Sequence, residues 1–418
     1  MRDILKFLFL GKLAKASTWL FAGGLFSGFL GYFFQIIVGR MLSVSDYGIF
    51  TALMALMMLV GAPLITLMML VSRKVSAYRS NNYESHRAHL FYLSNLYILL
   101  ALSFFTLITF SFLQFVSDFL ALDKNIHLYL LLIMLFVAFP QAVNNAYLQG
   151  LQFFKWLALS GVLFTFFKII LVVVLVYFGF GVSGALGGVI LASIIVYLMT
   201  YIVLIPSLKG IKKNYKSGPH FSIKSAIPVL LANIAFAAMT QIDMILVRHF
   251  FLEQEAGLYA AASILGKAVM YLPGGIAMAL FPMVAGNHSV GRNSSHLLLQ
   301  ASGLTLILCT IGALFYYYFS DLIIVLLYGE NYRMAAPILK YFGFAMIPMG
   351  LILVAEHFLI AMGKVLFAYL FIIIAPLQLI AFYYFHDTLL NIVLIMSISG
   401  IILTIVGYSL LWRAFRNE

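Results

Sequence analysis

The sequence predicts an all-α membrane protein with twelve transmembrane helices in two six-helix lobes, and three observations carry that expectation. First, 64% of its 418 residues are hydrophobic and only 9% are charged, for a mean hydropathy of +1.08. So few charges cannot cover a water-facing surface of this size. Second, apolar runs recur from Trp19 to Arg413 with short polar interruptions, each long enough to cross a hydrocarbon core of about 30 Å as a helix. Third, markers in the first half return in the second near one offset, as an internal duplication requires. A β-barrel does not fit, because its strands alternate polar and apolar residues over about ten positions, whereas residues 99–115 and 169–180 are nearly unbroken apolar runs.

Turn and charge signals divide these runs into spans at residues 17–41, 47–71, 89–116, 126–150, 156–180 and 182–206. After a basic, turn-rich stretch come 227–251, 257–284, 297–319, 335–362, 365–385 and 389–412. The expected organisation is an N-terminal lobe over 1–208, a cytoplasmic linker over 209–224 and a C-terminal lobe over 225–418. The first run exceeds the apolar core of a signal peptide, and no small-residue cleavage site follows it, so it is expected to stay as an anchor. No room remains for a soluble domain. The one cysteine, Cys309, offers neither an intrachain disulfide nor a cysteine-cluster metal site.

A net charge of +12 in a soluble protein would suggest nucleic acid, but here its placement gives it another meaning. Eighteen of the 25 lysines and arginines fall on the span ends that share a side with both termini, among them Arg2, Arg73, Lys155 and the 209–224 cluster. Five, Arg40, Lys124, Arg248, Arg333 and Lys340, fall on the opposite ends, and Lys168 and Lys267 lie inside spans. By the positive-inside rule both termini are expected in the cytoplasm of a multi-pass inner-membrane protein. The linker's lysines read as a positive-inside stop that touches lipid phosphates.

The duplication is visible residue by residue. Arg40, ahead of Asp46, Tyr47 and Gly48, matches Arg248 ahead of Glu255, Ala256 and Gly257, and Pro63 matches Pro273, at offsets of 208, 209 and 210. Ser117 and Asp118 return as Ser320 and Asp321, and Pro140 as Pro348. Because six spans is an even number, the copies enter the membrane in the same orientation, and the axis relating them runs along the membrane normal. Two such lobes can rock about a central cavity.

Charged side chains within a membrane are costly and mark candidate sites. Lys267 sits ten residues into its expected span, about 15 Å from the outer end at roughly 1.5 Å per residue. A lysine at that depth should face a wet cavity. Lys168 lies twelve residues into its own span from the cytoplasmic side, so the two could bracket an anionic group at the midplane, unless one pairs with a carboxylate for structural reasons. Arg40 and Arg248 occupy matching outer ends, where an arginine either forks onto phosphate or anchors a helix among headgroups. Gln35 and Gln241, deeper on the same two helices, either hydrogen-bond sugar hydroxyls or join helices. Asp243 precedes Arg248 by five residues, a separation that turns the pair apart on a helix. It therefore needs another partner: a lysine, a coupling cation or a proton. Glu356 and His357 form a second candidate proton or cation site. Asn144 and Asn145 follow Pro140, where the helix is expected to kink.

Enzyme signals are weak. The chain has no Walker loop, no zinc helix and no outer loop large enough for a glycosyltransferase or polymerase site. The glycines at 184, 187 and 188 read as helix packing.

The twelve spans, the six-plus-six repeat, residues 40–48 (RMLSVSDYG) and residues 248–259 (RHFFLEQEAGLY) resemble the polysaccharide exporters of the multidrug/oligosaccharidyl-lipid/polysaccharide (MOP) superfamily. The resemblance spans nearly the whole chain and is closest to the O-antigen and capsular repeat-unit flippases of the Wzx type. It implies a MATE-like fold and movement of an undecaprenyl-diphosphate-linked oligosaccharide from the cytoplasmic to the periplasmic leaflet of a bacterial inner membrane. The diphosphate would meet Lys168, Lys267, Arg40 and Arg248 while the polyprenyl tail stays in lipid. A proton or sodium gradient would drive the cycle, with Asp243 the first coupling candidate. The expected partners are membrane lipid, the lipid-linked saccharide and other polysaccharide assembly proteins, with no cofactor, no metal and a monomeric chain. Lys267→Ala is expected to abolish export and leave folding intact. A cation-coupled drug exporter of the same superfamily would need an acidic or neutral cavity, against which two midplane lysines argue. A membrane polymerase or ligase would need the missing outer loop, and a scaffold leaves the intramembrane charges unexplained.

Overall fold

The computed structural model describes residues 12–80, 84–122, 124–208, 227–277, 280, 283–284, 294–362 and 366–416, and the linker expected at 209–224 lies outside them. In chain order the helices are α1 (Lys12–Met41), α2 (Val44–Gly61), α3 (Pro63–Ser80), α4 (Glu84–Ser111), α5 (Leu113–Phe119), α6 (Ile126–Gly150) and α7 (Phe154–Leu175). They continue with α8 (Gly181–Leu204), α9 (Ile227–Phe250), α10 (Glu253–Tyr271), α11 (Ser295–Tyr328), α12 (Ala336–Ala361), α13 (Leu366–Tyr384) and α14 (Leu389–Arg416). The described residues contain no strand.

Among the described residues, ten helical segments are long and apolar enough to cross a membrane. One of them, Phe154–Leu208, holds two expected spans, α7 and α8, and the shorter Ala368–Tyr384 supplies the last. The chain is thus the all-helical, twelve-span membrane protein that its hydropathy predicts. Between α7 and α8 the chain turns at Gly179 and Gly181, whose φ angles of 86° and 52° lie in the region that favours glycine. The second expected span is two helices. α2 ends at Gly61 and α3 starts at Pro63, because proline lacks an N–H and pushes the residue before it out of helical geometry. The expected kink after Pro140 leaves α6 one continuous element from Ile126 to Gly150.

The chain divides into two compact units, one of 1–42 with 60–226 and the other of 43–59 with 227–418. The break near residue 226 lies beside the expected linker, but residues 43–59 group with the second unit instead of the expected N-terminal lobe.

Within the first unit, close approach of small residues and a few polar ties join the helices. Ser27 on α1 donates to the Gly161 carbonyl at 3.0 Å and lies 3.2 Å from the Thr165 hydroxyl, both on α7. Gly188 lets α8 lie against α7, since a Cβ there would stand 2.7 Å from the Val172 nitrogen. Asn144 on α6 donates to the Thr200 hydroxyl at 3.0 Å and the Tyr197 carbonyl at 3.2 Å, both on α8. The Tyr147 hydroxyl donates to the Arg87 carbonyl on α4 at 2.8 Å. In a solvent without hydrogen-bond partners such ties hold helices that hydrophobicity alone would not sort.

The second unit uses the same devices. Gly266 on α10 makes room for the Phe342 ring of α12, and Gly400 on α14 packs against Pro348 of α12. The Gln378 amide of α13 donates to the Met239 carbonyl of α9 at 3.2 Å, and Phe236 meets Phe371 edge-on with centroids 5.4 Å apart. The first turns of α2 enter this unit through Gly48, where a Cβ would stand 2.8 Å from the Gly257 nitrogen, and a Cβ on Gly257 would overlap the Val44 carbonyl. The Tyr47 hydroxyl lies 3.1 Å from that of Tyr328. Gly48 and Gly257 are matching markers of the internal repeat, so equivalent positions of the two copies lie against each other.

Candidate functional site

In the second unit a lysine, a tyrosine and a serine gather around one buried carboxylate. Asp243 on α9 is completely buried, and Lys267 on α10 donates to both its oxygens, at 3.0 Å to Oδ1 and 2.9 Å to Oδ2. The Tyr259 hydroxyl donates to Oδ2 at 2.9 Å and the Ser263 hydroxyl at 3.3 Å. Tyr259, Ser263 and Lys267 follow one another at four-residue steps, which places all three on one face of α10. Tyr259 is itself buried, with the Met396 sulfur of α14 at 3.7 Å and the Phe342 ring of α12 at 5.8 Å. The cluster pairs one negative with one positive charge, so the carboxylate is neutralised where it stands.

This arrangement decides between alternatives that the sequence leaves open. Lys267 is not a bare cation in a wet cavity but the ion-pair partner of Asp243, with 12% of its side chain exposed. It stands fourteen residues after the start of α10 at Glu253, about 21 Å along the helix axis. Lys267→Ala would leave Asp243 buried without its cation, which costs about 3–5 kcal/mol, so this variant is expected to lose stability as well as export. Asp243 does ignore Arg248, as their spacing predicts. Arg248 pairs instead with Glu253 at 2.8 Å, and its side chain is sealed inside the unit while that of Glu253 is 49% exposed. That burial removes Arg248 from the headgroup-anchoring role.

In the first unit Lys168 stands differently. It lies fourteen residues from the start of α7, again about 21 Å along the axis. Its ammonium is 4.0 Å from the centroid of the Phe34 ring on α1 and 5.4 Å from that of Phe164, one turn earlier on its own helix. Among the described residues no carboxylate pairs with it. Aromatic faces steady a cation by about 0.5–2 kcal/mol without cancelling its charge, and the side chain stays partly exposed.

The remaining candidates are spread out. Arg40 is exposed at the end of α1, while Gln35 is half-buried with its Oε1 unpaired among the described residues. Gln241 is half-buried on α9, two residues before Asp243. Glu356 on α12 is half-buried and has no hydrogen-bond or ion-pair partner among the described residues. His357 beside it donates from Nδ1 to the Leu353 carbonyl at 2.8 Å. A cavity of about 470 Å³ opens along α13 and α14, lined by Leu377, Gln378, Ile395 and Ser399 among others, and none of the charged candidates reaches it.

Tyr259, Ser263, Phe34 and Phe164 were not anticipated as site residues. The polar stripe at 259, 263 and 267 and the four-residue step from Phe164 to Lys168 were the signals available. Nothing in the sequence pointed to Phe34, which comes from another helix.

Residues 13–288 match the family model described as polysaccharide biosynthesis protein. No curated protein matches the sequence. Among solved structures, an inward-facing multidrug resistance MATE family transporter of the MOP superfamily is 16% identical, with a TM-score of 0.72 over 93% of this chain and 94% of that one. The lipid II flippase MurJ in an inward closed conformation is 18% identical, with a TM-score of 0.68 over 94% of this chain and 87% of that one. A MOP superfamily transporter from Pyrococcus furiosus, described as having a binding pocket of reversed polarity that suggests a different function, is 17% identical, with a TM-score of 0.64 over 96% and 95%. The chain therefore has the MATE-like fold of this superfamily.

Proposed function

Because this chain belongs to the polysaccharide biosynthesis protein family, we infer that it is a flippase carrying an undecaprenyl-diphosphate-linked oligosaccharide, such as an O-antigen or capsule repeat unit, from the cytoplasmic to the outer leaflet. The observation that carries this reading is Lys168: a lysine deep in a membrane helix, held on two phenylalanine faces, with no acid to cancel it among the described residues. An uncancelled cation in a low-dielectric setting attracts phosphate and repels the cationic substrates of a drug exporter. Lys267, in the second unit, is a further candidate for phosphate. Arg40 meets phosphate at the outer end, and Gln35 and Gln241 are the amides available to sugar hydroxyls. The chain is a multi-pass protein of the bacterial inner membrane with cytoplasmic termini, acting as a monomer by alternating access, and it hands its cargo to polysaccharide assembly proteins.

Ion coupling falls to the carboxylates. Asp243 already has its counter-ion, whereas Glu356 has none among the described residues, which favours Glu356, with His357 beside it, as the group that takes a proton or sodium ion. In proteoliposomes, Glu356→Gln is expected to keep transporting but to lose its response to an imposed proton or sodium gradient. An undiminished response removes Glu356 from that role.

The reading itself is tested by reconstituting the chain with a fluorescent diphosphate-linked oligosaccharide lipid and following its leaflet with a membrane-impermeant quencher. The expected result is protein-dependent transfer of the lipid and no efflux of a cationic dye. Dye efflux without lipid transfer would assign the chain to the drug exporters.

A further inference from the structure

The ion pair of Asp243 and Lys267 is held asymmetrically. The carboxylate accepts hydrogen bonds from Tyr259 and Ser263 as well as from the lysine, and it is wholly buried. The lysine, among the described residues, is held by nothing but the carboxylate. An ammonium has three hydrogens, and the two contacts to Asp243 leave one uncommitted. The lysine, not the acid, has the exposed portion, 12% of its side chain. An anion arriving at this face meets Lys267 first and cannot reach Asp243.

We propose that Asp243 is the resident counter-ion of an anion-binding lysine, so that the phosphate of a lipid-linked ligand and the Asp243 carboxylate compete for the Lys267 ammonium. The proposal rests on the flippase reading above and adds what sets the strength of the site. With the site empty, the carboxylate keeps the lysine from standing as a bare charge inside the membrane. With ligand present, Lys267 turns toward the phosphate while Tyr259 and Ser263 keep the carboxylate in place. The competition weakens binding, and weak binding is what a carrier needs in order to let its cargo go on the far side. Asp243 is thus a positioning and tuning residue that never touches the ligand.

The test uses the purified full chain in detergent with farnesyl diphosphate as the probe, its affinity measured by calorimetry on the wild type, Asp243→Asn and Lys267→Met. Removing the competing charge is expected to tighten binding about tenfold in Asp243→Asn and to slow lipid transfer in proteoliposomes, since release becomes limiting. Lys267→Met is expected to bind about tenfold more weakly. Infrared difference spectra of the wild type, which need no variant to fold, are expected to show a carboxylate band shifting when the probe binds. Probe affinity in a folded Asp243→Asn equal to or weaker than wild type overturns the proposal, as does a wild-type spectrum without a carboxylate shift. Failure of the flippase reading would show separately, as absent lipid transfer by the wild type whatever the binding series gives.

Discussion

Two lysines at equal helical depth behave differently because of what each touches. Lys267 is bonded to a buried carboxylate, and Lys168 to ring faces alone. Their removal should therefore separate function from stability. Lys168→Met leaves no charge behind, so its melting temperature should stay near wild type while transfer of the diphosphate lipid falls at least about tenfold, the size of one lost charge-assisted contact. Lys267→Met strands Asp243 and should cost about 3–5 kcal/mol, read as a clear drop in melting temperature in detergent. Tyr259→Phe removes a hydrogen bond to the same carboxylate and should cost about 1.5–3 kcal/mol. Equal melting temperatures for the two methionine variants would contradict the pairing. Much of this was legible beforehand. The failure of Asp243 to pair with Arg248 follows from counting along a helix. Which acid meets which base does not, because Lys267 and Asp243 are twenty-four residues apart, on separate helices whose rotation only packing decides.

At the scale of elements, glycine separates contacts from spacers. Gly257 on α10 has no room for a methyl group against the Val44 carbonyl, whereas Gly28 on α1 has no neighbour within 4 Å of where its Cβ would be. Gly257→Ala should lower stability by about 1–3 kcal/mol through overpacking, while Gly28→Ala should leave it unchanged or raise it slightly through helix propensity. Thermal melting of the two variants checks both, and an unaffected Gly257→Ala would mean that α2 does not seat where it is described. The repeat markers singled out both glycines of this contact, but only as positions matched by offset. Their function as a contact was invisible, since periodicity within a helix says nothing about a partner two hundred residues away. The break of the second span at Pro63 follows from proline's missing N–H, and hydropathy alone runs straight across it.

For the whole molecule, hydropathy and the duplication carried the fold, because a bilayer leaves a chain this apolar few choices beyond helices of spanning length. The grouping of residues 43–59 with the second unit lay beyond their reach, since it depends on packing between segments and not on local pattern. The cargo of the proposed flippase is a lipid with an anionic headgroup. A membrane potential acts on such cargo directly, by about 2.3 kcal/mol per charge for each 100 mV. The most direct measurement is transfer of two lipids with the same polyprenyl tail and the same saccharide, one joined through diphosphate and one through an uncharged linkage, in proteoliposomes under an imposed potential. The diphosphate lipid is expected to cross faster toward the positive side and the uncharged lipid to cross slowly at every potential. Equal rates for the two lipids, or no protein-dependent movement of either, would contradict the flippase reading.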